Sequence, residues 1–355
     1  MNLLSIGTDR KLFEDNSAVL ARQIEYAKKF EKVFIVVFTK KGFQKKEIDN
    51  ITIYPTNSSS KFFYIRDAIR IGKGILTKPS TFTCQNFAKT KFRQASAKPF
   101  TITCQDPFEC GFVGYKLKKR MDVPLELQIH TDIGSDYFAS LKIGFKLWFL
   151  NSFRICLANR ILPKADHIRV VSERNAVFLK EYMKIPAEKI EVRPIAVDVE
   201  KIKNAVVKPE NDLRKKYPQF DKIVLIASRL EPEKNIKSAV LAFKTVVKTF
   251  PKAGLIIVGS GSLLYNLKRT VARYSLDSNV ILEPWQSDLS SYYKTCDIFL
   301  NVSFYEGYGM TMVEAKAAGA KILSTDVGIA KEIGAGITGF EPREIGDKLL
   351  ELLNQ

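Results

Sequence analysis

The alternation of short apolar runs with longer amphipathic stretches constrains the fold of this 355-residue chain most strongly. In the first half the runs are LLSIG, VFIVVF, ITIY, FTITC, LELQIH and HIRVVS, and helical spacing occupies several of the segments between them. Strands that alternate with helices form βαβ units, in which helices cover both faces of a mainly parallel sheet. The sequence therefore predicts an α/β fold built from doubly wound sheets.

The alternation fades at residues 196–217, a charged segment bracketed by Pro194 and Pro218. It then resumes with the runs KIVLIAS, AGLIIVG, NVILEP, DIFLNVS and AKILST. A chain of this length can bury two cores of ordinary size. We therefore predict an N-terminal Rossmann-like domain at 1–195, a linker at 196–217 and a C-terminal Rossmann-like domain at 218–355. Ligands bind beyond the carboxyl ends of the strands in such sheets, so we expect the two domains to enclose a cleft.

The charge balance indicates an anionic partner. The chain has 56 Lys and Arg residues against 38 Asp and Glu residues, a net charge of +18. A balance this basic suits a nucleic acid, a phosphorylated small molecule or an anionic membrane surface, and charge alone does not choose among them.

The cysteines and the N-terminus bear on the compartment. The five cysteines are scattered without a C-x-x-C pair, and the chain has only two histidines, so we expect reduced thiols and no metal site. The segment MNLLSIGTDRK does not resemble a signal peptide, because Asp9 ends its apolar part. No apolar run is long enough to span a bilayer, and we expect a cytoplasmic protein.

Three strand ends in the second half carry groups suited to a ligand. They are Arg229 and Lys234 after KIVLIAS, Gly259 and Gly261 after LIIV at the start of a helix, and Glu306, Gly307 and Gly309 after DIFLNVS. The last group precedes a helix that we expect to start near Met310, and the free N–H groups of a helix start favour anions. Arg and Lys add fixed positive charge, so the pocket suits a diphosphate. Glu314, in the helix beyond, can accept hydrogen bonds from a vicinal diol such as a ribose.

These segments resemble a known family. SRLEPEKNI is similar to the serine-arginine-leucine and lysine segment of GT-B retaining glycosyltransferases of family 4, and EGYGMTMVEAKAAGAKILSTDVG resembles their glutamate-x7-glutamate signature. EPWQSDLSSYYKTCDIFL resembles the segment between the two. The similarity is close over residues 222–340 and looser at LQIHTD, ADHIRVVSE and CQDPFECGFVGY.

The resemblance implies a GT-B fold, in which two Rossmann-like doubly wound domains face each other across a cleft. It also implies a hexosyltransferase that moves a sugar from a nucleoside diphosphate sugar, of the UDP or GDP type, to a glycan or lipid-linked acceptor. The configuration would be retained by front-face transfer, in which the leaving phosphate helps to deprotonate the acceptor.

The resemblance assigns roles to individual residues. Arg229 and Lys234 would neutralise the leaving diphosphate in place of a metal, so no cofactor is expected. Glu306 would hold the hydroxyl groups of the sugar, Glu314 would hold the ribose, and His130 would face the sugar from the first domain. The other expected donor contacts are Gly7, Thr8, Ser228, Gly259, Gly261, Gly307, Gly309, Met310 and Thr311.

Five of these residues also have a purely structural interpretation. The two glutamates could be acids near a helix start that interact with the helix dipole. Arg229 and Lys234 could lie in a solvated loop, in salt bridges to Glu231 and Glu233. His130 could be a satisfied polar group at a strand end.

Other functions remain open on the sequence. The segment GSGSLL lacks the last glycine of a dinucleotide fingerprint, which argues against nicotinamide binding. A sugar-nucleotide epimerase or hydrolase of GT-B fold would need a water or a proton-transfer pair near the anomeric carbon, and we identify none. A basic nucleic-acid-binding protein is less favoured, because no binding module is recognisable and no nucleic-acid partner is expected.

The stretch YFASLKIGFKLWFLNSFRICLANRILPKADHIR interleaves aromatic and basic residues. Such a helix suits an anionic membrane surface, with aromatic side chains at the interface and cations on the headgroups. The alternative is a helix of the first domain buried on one face, which fits poorly because apolar side chains nearly encircle residues 145–150. We predict peripheral association with the inner face of the plasma membrane. The expected contacts are Lys142, Lys146, Trp148, Phe149 and Arg154.

Overall fold

A computed structural model describes residues 1–77, 100–141 and 144–355. The chain divides into two compact units. Unit 1 comprises Met1–His130, Phe149–Val171 and Asn175–Arg193, and unit 2 comprises Thr131–Trp148, Ser172–Arg174 and Pro194–Gln355.

Eight strands form one sheet in the described part of unit 1. They are β1 (Asn2–Gly7), β2 (Val33–Val37), β3 (Lys46–Ile48), β4 (Ile51–Pro55), β5 (Phe100–Cys104), β6 (Leu125–Ile129), β7 (His167–Val170) and β8 (Ile190–Val192). Their order is β3-β4-β2-β1-β5-β6-β7-β8, and every neighbouring pair is parallel except β3 with β4. The chain therefore builds outward from β1 in both directions, and the topological switch point lies between β1 and β5.

Five α-helices precede β8 in the described part of the chain, and the first three of them pack on the sheet of unit 1. They are α1 (Ala18–Ala27), α2 (Tyr64–Leu76), α3 (Glu109–Met121), α4 (Phe145–Ile161) and α5 (Glu173–Glu181). On one face, Leu20 of α1 packs with Leu3 and Val33 in a buried cluster. Helix α3 approaches β5 so closely that a Cβ added at Gly114 would lie 2.5 Å from Cys104 Sγ. A larger residue than glycine at position 114 would push this helix away from the sheet.

The six strands in the described part of unit 2 follow the doubly wound order. They are β9 (Lys222–Ala227), β10 (Ala253–Val258), β11 (Val280–Glu283), β12 (Ile298–Asn301), β13 (Lys321–Thr325) and β14 (Gly336–Thr338). The order is β11-β10-β9-β12-β13-β14, and all pairs are parallel. The chain reverses direction across the sheet after β11, which places the switch point between β9 and β12.

Helices cover both faces of the second sheet, as the sequence predicted. They are α6 (Val199–Asn204), α7 (Leu213–Lys216), α8 (Ile236–Thr249), α9 (Leu264–Arg273), α10 (Ser290–Thr295), α11 (Met310–Ala317) and α12 (Pro342–Leu353). Along β9, Val224 packs in a cluster with Phe243 of α8, whereas the next residue, Leu225, packs in the opposite cluster with Tyr292 of α10. Burial of both faces explains why these strands are continuous apolar runs and lack polar alternation.

The segment 196–217, expected as a linker, contains α6 and α7 and lies in unit 2. Leu213 is fully buried, and its N–H donates to Thr295 Oγ1 at 3.0 Å. Arg214 pairs with Asp297 at 2.5 Å, and Lys216 pairs with Glu283 at 2.7 Å. Two cations of the segment that suggested a linker therefore form ion pairs with other parts of unit 2.

Candidate active site

The carboxyl ends of β9 and β12 bring a cation and a carboxylate together. Lys234 Nζ lies 2.6 Å from Glu306 Oε1, and the two side chains are 12% and 16% exposed. Lys234 follows β9, whereas Glu306 follows β12, 72 positions later in the chain. Since ligands of doubly wound sheets bind at the switch point, this ion pair marks the candidate site of unit 2.

A buried polar network fixes the carboxylate of Glu306. Ser303 Oγ lies 2.8 Å from Glu306 Oε1 and 2.7 Å from Asn301 Oδ1. Asn301 Nδ2 donates to Ser324 Oγ at 3.1 Å, and Thr325 Oγ1 donates to the carbonyl oxygen of Ser303 at 2.7 Å. All four supporting residues are buried. These four residues were not among those predicted from the sequence, although polar side chains at the ends of the apolar runs DIFLNVS and AKILST were the available signal.

Helix α11 presents its amino end next to this loop. Gly309 is its N-cap with φ 101°, a left-handed conformation that favours glycine, and no described side chain caps the first turn. The helix begins at Met310, which agrees with the predicted start. The amides of Met310 and Thr311 therefore belong to the positive end of the helix dipole.

Gly328 lets a neighbouring loop approach the candidate site. A Cβ at this position would lie 2.2 Å from the carbonyl oxygen of Tyr308 and 3.2 Å from Glu306 Cβ. The residue has φ +52°, which an L-residue rarely adopts. Gly328 belongs to the segment STDVG, which carried part of the family resemblance, but it was not among the predicted site residues. Gly307, which lies between Glu306 and Tyr308 in the chain, is half-buried.

Glu314 lies one turn into α11 and has a different partner from Glu306. Tyr293, which is buried, donates its hydroxyl proton to Glu314 Oε2 at 2.9 Å. Burial raises the pKa of the Glu314 carboxyl, and the hydrogen bond from Tyr293 opposes that rise. Among the described residues no other group hydrogen-bonds to this carboxylate, so Oε1 can accept from a ligand. Tyr293 was not among the residues predicted from the sequence.

Arg229 and Lys234 differ sharply in their surroundings. The side chain of Arg229 is 70% exposed, and its Nη2 lies 2.9 Å from Glu233 Oε1. Glu231 instead accepts from the N–H of Ser262 at 3.0 Å and from its hydroxyl group, which lowers the pKa of Glu231. The solvated-loop interpretation therefore describes Arg229 but not Lys234.

The glycines after β10 allow two loops to run side by side. A Cβ at Gly259 would lie 1.9 Å from the carbonyl oxygen of Ser228, and a Cβ at Gly261 would lie 2.5 Å from that of Leu230. The backbone N–H of Leu230 also donates to Ser260 at 2.9 Å. Helix α9 begins only at Leu264, so these glycines precede the helix and serve close backbone approach.

Aromatic side chains pack around the loop that carries Glu306. The ring of Tyr137 stacks on that of Phe304 with centroids 5.4 Å apart, and Phe138 packs on Tyr305 at 6.0 Å. The rings of Phe304 and Phe340 are 5.4 Å apart. All of these residues lie in unit 2, and the stack restrains the chain between Ser303 and Glu306.

Unit 1 carries three of the predicted site residues. Gly7 ends β1, and a Cβ there would lie 2.3 Å from Gln105 Oε1, the atom that accepts from the N–H of Thr8 at 3.4 Å. His130 follows β6 and is exposed, and its Nε2 lies 3.0 Å from Gln128 Oε1. Desolvation of the ring nitrogens by neighbouring protein atoms, together with the positive charge of Arg169, lowers the pKa of the His130 imidazole.

The first half of α4 exposes large apolar side chains. Phe145 is 72% exposed, Phe149 is 63% exposed and Phe153 is 56% exposed. Lys146 is exposed beside them, and Trp148 is half-buried. A cluster of exposed aromatic residues on one helix is unusual for a surface that meets only water, and it marks an interaction surface.

Two of the five predicted membrane contacts are not part of this exposed surface in the described structure. Arg154 is engaged within unit 1, where its Nε lies 3.1 Å from Glu109 Oε1. Lys142 lies outside the described residues. In the part of the chain that the structure covers, no helix has both the length and the apolar character needed to cross a bilayer.

Two family models match the chain, one in each half. Residues 37–201 match the model described as Glycosyltransferase Family 4, and residues 208–341 match Glycosyl transferases group 1. The second range contains the Lys234–Glu306 pair and the amino end of α11.

Curated relatives carry glycosyltransferase names. The chain is 26% identical over 314 residues to alpha-monoglucosyldiacylglycerol synthase of Streptococcus pneumoniae, a match that covers 87% of this chain and 67% of the relative. It is 29% identical over 177 residues to N-acetylgalactosamine-N,N'-diacetylbacillosaminyl-diphospho-undecaprenol 4-alpha-N-acetylgalactosaminyltransferase of Campylobacter jejuni. That match covers 50% of this chain and 45% of the relative, so the chain spans less than half the length of this second protein.

Solved structures share the fold. Sucrose-phosphate synthase from Thermosynechococcus elongatus superposes with a TM-score of 0.72 at 15% identity, covering 100% of this chain and 90% of that one. Anabaena Alr3699/HepE in complex with UDP superposes with a TM-score of 0.67 at 16% identity and the same coverage. With the two parallel-sheet units and the two family matches, these findings confirm the predicted fold and family: the chain is a GT-B glycosyltransferase of the family 4 type.

Proposed function

We propose that this chain is a retaining hexosyltransferase that moves a sugar from a UDP or GDP sugar to a hydroxyl group of a glycan or lipid-linked acceptor. The observation that carries the proposal is the Lys234–Glu306 pair at the switch point of unit 2, beside the uncapped amino end of α11. Cations, helix amides and a fixed carboxylate suit a ligand with a diphosphate at one end and hydroxyl groups at the other.

The reaction breaks the bond between the anomeric carbon and the diphosphate oxygen, and the electron pair leaves with the diphosphate. The acceptor oxygen bonds to the anomeric carbon from the same face, and its proton passes to the departing diphosphate. Lys234, Arg229 and the amides of Met310 and Thr311 stabilise the negative charge that develops on the leaving group. We propose that these cations make a metal ion unnecessary.

Glu306 is proposed to position the sugar and not to attack it. Its Oε1 already lies within hydrogen-bond distance of Lys234 Nζ and Ser303 Oγ, which weakens it as a nucleophile. A carboxylate held in this way can accept hydrogen bonds from sugar hydroxyl groups at a fixed position. Glu314 Oε1 is proposed to accept from the ribose, since Tyr293 occupies only Oε2. The backbones of Gly7, Thr8, Ser228, Gly259, Gly261, Gly307 and Gly309 complete the proposed donor contacts.

The acceptor is proposed to be membrane-linked. One relative is named as a diacylglycerol glucoside synthase and another as a transferase acting on a diphospho-undecaprenol saccharide. The exposed Phe145 and Phe149, with Lys146 beside them, suit the interface of an anionic membrane. We therefore propose peripheral association with the inner face of the plasma membrane.

Thermal stabilisation tests the donor. UDP or GDP at 100 times its Kd should stabilise the protein by about 2.7 kcal/mol, and a single-stranded oligonucleotide should not. Stabilisation by the oligonucleotide but by neither nucleotide would contradict the proposal. Transfer from a donor panel to lipid extracts, with EDTA present and the product anomer read by NMR, tests metal independence and retention.

Two glutamate variants test the division of roles. Glu314→Ala should weaken nucleotide binding, whereas Glu306→Ala should mainly lower the transfer rate. Glu351→Ala, a change at an exposed glutamate of α12, is the matched control and should alter neither. Equal losses of nucleotide affinity in the first two variants would refute the separation of roles.

Liposome co-sedimentation tests the membrane contact. Phe145→Ser combined with Phe149→Ser should reduce binding to anionic vesicles without lowering the melting temperature, because both rings are largely exposed. Phe62→Ser removes a ring that is 94% exposed in unit 1 and is the control. Binding that persists in the double variant would contradict the assignment.

A further inference from the structure

A line of polar side chains on one face of the sheet of unit 1 leads to His130. Glu126, Gln128 and His130 alternate with buried residues along β6 and just beyond it, so they project on the same side. Thr103 of β5 pairs in register with Glu126, which places it on that side as well. The four side chains are therefore neighbours through strand geometry and not through sequence proximity alone.

Hydrogen bonds fix which way the amide of Gln128 points. Gln128 Nε2 lies 2.9 Å from Thr103 Oγ1 and 3.3 Å from Glu126 Oε1. Thr103 Oγ1 lies 2.8 Å from the same carboxylate oxygen and donates its proton to it. A carboxylate oxygen is an acceptor only, so the amide atom that faces it must be the nitrogen. The reversed amide would set two oxygens against each other.

The fixed amide decides the tautomer of His130. Because Nε2 of Gln128 points toward Glu126, Oε1 of Gln128 faces His130 Nε2 at 3.0 Å. An amide oxygen has no proton to give, so His130 Nε2 must carry the hydrogen and donate it. In a neutral imidazole, the other nitrogen, Nδ1, is then left as an acceptor.

The carboxylate at the start of this line is itself held in place. Its second oxygen, Glu126 Oε2, lies 3.3 Å from His167 Nδ1, and His167 Nε2 lies 3.3 Å from Glu191 Oε2. Glu126 is mostly buried, with 18% of its side chain exposed. Rotation of the Glu126 carboxylate would break its contacts with Thr103 and Gln128 on one side and with His167 on the other. The carboxylate therefore holds the amide of Gln128 in one orientation.

We propose that Gln128 is a positioning residue that holds His130 as the Nε2–H tautomer and leaves Nδ1 as a hydrogen-bond acceptor for a substrate hydroxyl group. Glu126 and Thr103 hold Gln128 in turn. The catalytic consequence rests on the proposed function, whereas the tautomer itself does not.

Imidazole nitrogen NMR tests the tautomer without any substrate. The chain has two histidines, so ¹⁵N-histidine labelling gives two rings, and the His130→Asn variant assigns them. The wild type should show a pyrrole-like Nε2 and a pyridine-like Nδ1 at His130. Gln128→Met, which keeps the length but removes the acceptor, should add a measurable Nδ1–H population. Gln44→Met, at an exposed glutamine of unit 1, should leave both rings unchanged.

A single unchanged tautomer in Gln128→Met, or an Nδ1–H ring in the wild type, would overturn the proposal. If Gln128→Met does not fold, Thr103→Val decides, because it removes the hydroxyl group that anchors the amide. It should also add Nδ1–H population, and an unchanged spectrum would overturn the proposal.

Kinetics separate this role from the proposed function. Gln128→Met should lower kcat about tenfold, the effect of one hydrogen bond, while the thermal shift by UDP or GDP stays at the wild-type value. An altered tautomer with wild-type kcat would overturn the positioning role. Absence of sugar transfer in the wild type would overturn the proposed function instead, with the NMR result still standing.

Discussion

The Lys234–Glu306 pair allows stability and ligand binding to be tested with the same substitutions. Lys234→Met keeps the aliphatic length of the side chain and removes its charge. Glu306 would then remain as a carboxylate that is 16% exposed, with Ser303 as its nearest remaining partner. Loss of one partner from a buried ion pair is costly because the other charge is left without compensation.

The expected cost follows from the burial of the pair. Breaking a fully buried pair costs about 3–5 kcal/mol. Both side chains of this pair retain some exposure, and Ser303 still contacts Glu306. We therefore expect the free energy of unfolding to fall by about 3 kcal/mol, the lower end of that range. For a domain of about 150–250 residues, each kcal/mol shifts the melting temperature by about 2–4 °C, which predicts a fall of about 6–12 °C.

Arg229→Met is the matched control. It removes a cation from the same loop, but Arg229 is 70% exposed and its pair with Glu233 should contribute less than about 1 kcal/mol. Both variants should weaken stabilisation by UDP or GDP if both cations contact the diphosphate. Differential scanning calorimetry with and without nucleotide measures the two effects in one experiment.

A double variant isolates the charge pair. Lys234→Met combined with Glu306→Gln removes both charges, so it should lose less stability than Lys234→Met alone, with a coupling of at least about 1 kcal/mol. The reasoning is refuted if Lys234→Met melts within about 1 °C of Arg229→Met, or if the double variant is less stable than the single one.

Two further substitutions test the site. Burial raises the pKa of Glu314 above the ordinary 4.5, so the folded state holds the proton more tightly and loses stability as pH rises above that ordinary value. Glu314→Gln should therefore raise the melting temperature at pH 7, and the gain should shrink below pH 4.5, where both states are protonated; a gain that grows on acidification would contradict this. Gly259→Ala places a Cβ 1.9 Å from the carbonyl oxygen of Ser228, and we expect a loss of about 1–3 kcal/mol in urea unfolding, together with weaker nucleotide binding. Gly74→Ala in α2, where a Cβ meets nothing within 4 Å, should instead gain about 0.5–1 kcal/mol, and equal effects in the two variants would show that the contact is not rigid.

Several site features were predictable because their signals are local. A glycine after a strand and before an apolar helical pattern predicted the start of α11 near Met310, and the helix begins there. Charged residues beyond apolar runs predicted that Lys234 and Glu306 lie in the segments that follow two strands, and they lie after β9 and β12. The charged segment 196–217 suggested a linker for the same reason, since its local composition does not reveal the ion pairs that Arg214 and Lys216 form with distant residues.

The partners within the site were not predictable from local pattern. Tyr293 reads as an ordinary aromatic residue of a short helix, yet its hydroxyl group is the hydrogen-bond partner of Glu314. Gln128 reads as a polar residue in a strand, yet its amide fixes the nitrogen of His130 that carries the proton. Hydrogen bonds of this kind require the donor and acceptor atoms to be placed to within a fraction of an ångström. The periodicity of the sequence does not encode positions at that precision.

The sequence by itself determined the two doubly wound sheets and their family, because runs of apolar residues buried on both faces specify parallel strands between helices. The tertiary structure alone decided that Lys234 meets Glu306, since their contact requires β9 to lie beside β12. Strand order is set by how the chain crosses over the sheet, a property of packing between distant segments. The ion pair therefore exists only once β9 and β12 lie side by side.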